Sequence, residues 1–148
     1  IFESILEQLP EQGVLYTSPL QRCSILAQHI QEAKGIPIVA EEPRLKEMHF
    51  GDWELQAWNA IPRTVLDPWM NDFVNVAVPN GESFIDLDQR VWEFLEEELE
   101  KSNEKPLILV THSGVIRSVL CRINNIPLQE AFATPLDYGV VVKVEYTR

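Results

Sequence analysis

Four consecutive apolar residues, Leu107-Ile108-Leu109-Val110, run straight into Thr111-His112-Ser113-Gly114 and then into a helical pattern over Val115 to Leu120. An unbroken apolar run without alternation marks a strand covered on both faces, the habit of parallel sheets lying between helices. Parallel neighbours need long crossovers, usually helical, and the rest of the chain supplies them. Gly13-Val14-Leu15-Tyr16-Thr17 reads as a second strand, and Ser18-Pro19 then opens a helix running to about Ala33, with Ser18 as N-cap and Gly35 and Pro37 as the stop. Ile36 to Val39 is a further candidate strand. Strand and helix alternate without an internal repeat, which predicts one α/β domain over residues 1–148 with a mainly parallel sheet.

Ile1 to Leu9 has apolar residues at positions 1, 2, 5, 6 and 9, the spacing of an amphipathic helix. That helix begins without a cap, and further sequence upstream of it is the expectation. Ser83 with Asp86 three residues on forms a capping box for another helix, whose buried face is marked by Val91, Phe94, Leu95 and Leu99. Gly139 to Tyr146 alternates through Lys143 and Glu145 and is expected to be an edge strand. Residues 40–80 keep no sustained period and hold four of the ten prolines and three of the four tryptophans, so short helices and loops are expected there. Loops of such length in a compact domain are usually functional.

Charge narrows the partners. Twelve basic against 23 acidic residues leave a formal −11, which argues against nucleic acid and anionic membranes, since both need a basic face. An anionic substrate must be held by a few local cations against that field. Cys23 and Cys121 cannot build a disulfide framework or a cysteine-rich metal site, and no apolar run approaches the eighteen or so residues of a membrane span. A cytoplasmic protein is the expectation.

The two strand-to-helix junctions, at Tyr16-Thr17-Ser18-Pro19 and Val110-Thr111-His112-Ser113, share one design. Ligands of open α/β sheets bind outside the carboxyl ends of the strands, where helix N-termini favour anions. Arg22, four residues beyond Ser18, can reach back to the crevice and offers a bidentate match to phosphate oxygens. His112 stands at the mouth of the other strand. Singly, Arg22 suits a surface ion pair and His112 a hydrogen-bonded core position equally well; the matched junctions favour a shared pocket. A third cluster, Glu47, His49, Asp52 and Glu54, surrounds Gly51 among Met48, Phe50 and Trp53. A carboxyl among large apolar side chains is poorly hydrated and holds its proton more tightly, which suits a general acid, although carboxylates in so acidic a chain mostly solvate the surface. His49 has no second histidine or cysteine at ligand spacing, so no metal is assigned.

These segments resemble the histidine phosphatase (phosphoglycerate mutase-like) superfamily. Thr17-Ser18-Pro19-Leu20-Gln21-Arg22 is similar to its SSPLxRA segment and Leu45 to Glu54 to its LxExxFGxWEG segment. Pro79-Asn80-Gly81-Glu82-Ser83 resembles its PGGES, and Thr111 to Arg117 its THGGVIR. The resemblance implies a three-layer α/β/α sandwich and a phosphomonoesterase that needs no cofactor. In it a histidine of an Arg-His-Gly segment attacks the phosphoryl group, two arginines and a second histidine clamp the oxygens, and a glutamate protonates the leaving oxygen. By position the second arginine is Arg22, the second histidine His112 and the acid Glu47, with Ser18 and Ser113 as further substrate contacts.

No Arg-His-Gly occurs in the sequence, and neither His29 nor His49 stands at its place. The nucleophile strand is therefore expected to be missing from this chain, with the strands ending at Thr17 and Thr111 flanking its position. The Trp-rich segment looks most like the α-ribazole phosphatases of cobalamin biosynthesis, with Phe50, Trp53 and Trp58 placed either against a benzimidazole base or in the core. The alternatives are a broad-specificity small-molecule phosphatase and a non-catalytic phosphate-binding relative. The sequence sets no oligomeric state.

Overall fold

A computed structural model describes residues 2–101 and 104–146. The elements in order are α1 (Phe2–Gln8), β1 (Val14–Thr17), α2 (Gln21–Lys34), β2 (Ile38–Glu41), α3 (Arg63–Asn71), α4 (Phe84–Glu100), β3 (Leu107–Val110) and α5 (Ser113–Ile123), with short 3₁₀ turns between β2 and α3 and after α5. The strands form one parallel sheet in the order β2-β1-β3.

Side-chain alternation along the two longest-buried strands explains the layering. Leu15, Ile108 and Val110 point to one face and pack with Cys23, Ala27 and Ile30 of α2 and with Ile36. Val14, Tyr16, Leu107 and Leu109 point to the other, against Phe84, Leu87, Val91, Phe94 and Leu95 of α4 and Val115 of α5. The sheet is thus sandwiched between α1–α2 and α4–α5, the three-layer α/β/α arrangement. Full burial of a Leu or Phe contributes about 1.5–3 kcal/mol, and Leu15, Leu87, Phe84 and Phe94 are all essentially inaccessible.

Local signals explain most boundaries. The Ser83 hydroxyl accepts from the Asp86 N–H while the Asp86 carboxylate accepts from the Ser83 N–H, so the reciprocal box that starts α4 is formed. Gly35, at φ 67°, closes α2 in the left-handed conformation that glycine adopts without a Cβ penalty.

Three expectations are corrected. The α2 helix begins at Gln21 with Leu20 as its N-cap residue; the Ser18 hydroxyl lies ahead of that cap, where it meets the Leu20 N–H and the His112 ring. Gly139 to Tyr146 forms no strand. Alternation supplies a pattern but not a ladder, and here Tyr146 lies against Trp92 of α4, ring centroids 5.4 Å apart, rather than along a strand edge. The strands ending at Thr17 and Thr111 do not flank a third position: β1 and β3 pair directly, Val14 with Leu107 through Thr17 with Val110, and the Ser18 N–H continues the ladder to the Val110 carbonyl at 2.8 Å. The expected helix start at Ile1 lies outside the described residues.

Candidate active site

The direct β1–β3 pairing places the two junctions side by side at the carboxyl end of the sheet. His112 is the N-cap residue of α5 and Arg22 lies in the first turn of α2. Their side chains meet, Arg22 Nη2 standing 3.1 Å from His112 Nδ1. A guanidinium can only donate, so Nδ1 accepts, the imidazole is neutral, and the ring proton sits on Nε2. Nε2–H then donates to Ser18 Oγ at 2.9 Å, which also accepts from the Leu20 N–H at 3.3 Å. Cys23 completes the surround, its Sγ 3.6 Å from Nε2 and directed to the Thr111 carbonyl at 3.5 Å. Burial pushes the His112 pKa down, with the Arg22 and Arg90 charges adding to the effect and Glu47 opposing it. Burial likewise pushes the Cys23 thiol up.

Arg22 makes no ion pair with any carboxylate among the described residues. In a chain of net charge −11, an exposed guanidinium resting on a neutral imidazole is not explained as surface charge balance.

Of the acidic cluster, Glu47 alone turns into the crevice. Its carboxylate accepts from the Met48 N–H at 3.0 Å, the Gly114 N–H at 3.2 Å and the Ser113 hydroxyl at 3.4 Å, so it caps α5 from outside. Polar donors, not the rings of Phe50 and Trp53, surround the carboxyl. The other members build the turn: Glu54 accepts from the Phe50 N–H, Asp52 holds Asn80, and His49 Nδ1 accepts from the Gly51 N–H. Gly114 is obligatory for this placement, since a Cβ there would stand 2.2 Å from Glu47 Oε1.

Ser113 sits at the crevice lip beside Glu47, whereas Ser18 is buried behind His112 and holds the ring. Trp53 is 7% exposed and belongs to the core, and Phe50 is half-buried. Trp58, 54% exposed, stacks on Trp69 at 5.8 Å. Sequence reasoning missed Arg90 and Cys23. Arg90 is the single basic residue of α4, which was the available signal; its partners are mostly backbone carbonyls and carry no sequence signature.

The model of the histidine phosphatase superfamily (branch 1) matches residues 3–148, nearly the whole chain. The chain belongs to the histidine phosphatase superfamily. Among its curated relatives, the adenosylcobalamin/alpha-ribazole phosphatase of Escherichia coli K12 is 27% identical over 125 residues, covering 82% of this chain and 61% of that protein. Phosphoserine phosphatase 1 of Hydrogenobacter thermophilus is 27% identical over 138 residues, 86% of this chain and 63% of that protein. The chain thus spans less than two thirds of the length of both. The crystal structure of the alpha-ribazole phosphatase from Shigella flexneri superposes with a TM-score of 0.79 at 25% identity, covering 93% of this chain and 69% of that one. The superfamily's three-layer fold is therefore the one described above.

Proposed function

We propose that this histidine phosphatase superfamily chain forms the phosphate clamp and the leaving-group acid of a phosphomonoesterase acting through a phosphohistidine. The observation that carries this is the Arg22–His112 contact, a cation without a carboxylate partner at the mouth of two paired parallel strands. Arg22 and His112 neutralise the phosphoryl oxygens as charge grows on them. Glu47, anchored in the same crevice, delivers a proton to the departing alkoxide. His29 stacks on Phe2, and His49 is tied into the Gly51 turn. Neither stands at the clamp, so the phosphohistidine reading needs an acceptor histidine other than these two.

The substrate assigned is α-ribazole 5′-phosphate. Support comes from the named relatives and from Trp58, whose exposed ring offers a planar apolar surface to a benzimidazole. Relatives named as phosphoserine phosphatases favour a second reading, a phosphatase of small hydroxy-acid esters.

The protein as its gene encodes it should release phosphate from α-ribazole 5′-phosphate and show an acid-labile phosphoenzyme. Arg22→Ala or His112→Ala should lower turnover by about 10²–10³, the size of losing one donor aimed at developing charge. Unchanged turnover in both variants would refute the clamp. Preference for phosphoserine over α-ribazole 5′-phosphate would replace the substrate assignment.

A further inference from the structure

Arg90 has five N–H donors, and all five are engaged. Nε donates to Glu82 Oε2 at 2.8 Å and one Nη2–H to Glu82 Oε1 at 2.9 Å, a bidentate pair. Nη1 donates to the carbonyls of Arg44 and Lys46, both at 2.8 Å, and Nη2 also reaches the Glu47 carbonyl at 3.2 Å. Glu82 in turn accepts from the His49 N–H at 2.8 Å, and its own N–H donates to the His49 carbonyl at 2.8 Å. The Glu47 segment is thereby gripped on both sides, at residues 44, 46 and 47 by Arg90 and at residue 49 by Glu82. No donor of Arg90 remains for a substrate.

We propose that Arg90, with Glu82, is the positioning residue of the leaving-group step, setting where the Glu47 carboxyl stands in the crevice. The assignment rests on the phosphomonoesterase function proposed above. A side chain of this kind acts through Glu47 alone, so its loss should matter in proportion to how badly the leaving group needs a proton. A simple packing role would slow every substrate alike.

The test uses Arg90→Lys, which keeps the charge and the stem but offers three donors from one point. Glu82→Gln is a milder second variant that leaves Arg90 in place. In the gene-encoded protein, Arg90→Lys should lower kcat for an alkyl phosphate at least about tenfold more than kcat for p-nitrophenyl phosphate, whose phenolate leaves unaided. Glu82→Gln should shift the same ratio in the same direction by less. The amide of Gly114, which donates to the Glu47 carboxylate, should move in the nitrogen–proton NMR spectrum of Arg90→Lys toward its position in Glu47→Gln. Equal losses on both esters, or a Gly114 amide that does not move, would overturn the assignment alone. Hydrolysis of neither ester by the unsubstituted protein would overturn the phosphomonoesterase function and this assignment with it.

Discussion

In the free protein His112 Nδ1 accepts from Arg22, so it has no proton to offer an anion. For an oxyanion to be held by both side chains, Nδ1 must gain a proton while Nε2–H stays on Ser18. Anion binding should therefore take up one proton. The groups facing the ring are Arg22 and Cys23 from α2, Ser18 and Thr111 from the junctions, Glu47 from its loop and Arg90 from α4. Burial first, then the two arginines, keep the imidazole below its ordinary value, so neutral His112 dominates near pH 7. Above the folded pKa each pH unit costs the bound state about 1.4 kcal/mol, or tenfold in affinity. Between pH 6.5 and 8.5 the dissociation constant for an anion of fixed charge should rise by about 100-fold, or 2.7 kcal/mol. Sulfate is such an anion across this range. Calorimetric titration in two buffers of different ionisation enthalpy would measure both the affinity and the proton uptake. His112→Gln should bind sulfate with a flat pH profile. A flat profile in the unsubstituted protein would refute the reasoning, and would mean that Ser18 turns its hydroxyl proton to Nε2 while the ring changes tautomer.

Glu47→Gln should cripple hydrolysis of a ribose 5′-phosphate by about 10²–10⁴ while sparing most activity on an aryl phosphate, checked by phosphoenzyme formation with each substrate; equal slowing of both would move the acid role elsewhere. Gly114→Ala should displace the Glu47 carboxyl, because the added Cβ would meet Oε1 at 2.2 Å, and should reproduce the Glu47→Gln kinetics without lowering the sulfate affinity. Burial works against the charge of Glu82, but the Arg90 guanidinium and the His49 N–H outweigh it and hold its carboxyl below the ordinary value. A lowered folded pKa stabilises above the unfolded value and is lost as pH falls through the folded one. The difference in urea midpoint between the unsubstituted protein and Glu82→Gln should therefore shrink below about pH 4.3; a difference independent of pH would contradict the ion pair.

The strands at Val14–Thr17 and Leu107–Val110 were legible because a strand buried on both faces has no room for polar residues, and the box at Ser83 because its two bonds are local. Arg22, His112 and Glu47 were singled out through motif order; Arg22 meets the His112 ring, and the Glu47 carboxylate bonds Ser113 and Gly114 just beyond it. What failed depended on partners distant in the chain. The Ser18 hydroxyl was read as a cap for the helix it precedes, yet it bonds a ring 94 residues away. The alternation of Gly139 to Tyr146 was real, but no strand edge meets it. Arg90 binds main-chain oxygens, which every residue possesses, so nothing in the sequence distinguishes its targets.

The parallel ladder between β1 and β3 has one more consequence. Arg22 and His112 stand directly beyond neighbouring strands, so their spacing is fixed by backbone hydrogen bonds at the centre of the molecule. Glu47 belongs to a segment outside the sheet, fastened largely by side chains, those of Arg90, Glu82 and Thr111. Local opening begins where few backbone bonds close the chain. Amides around residues 44–50 should exchange with deuterium before those of residues 14–17 and 107–110, and on gentle warming the protein should lose its acid while its grip on the anion persists.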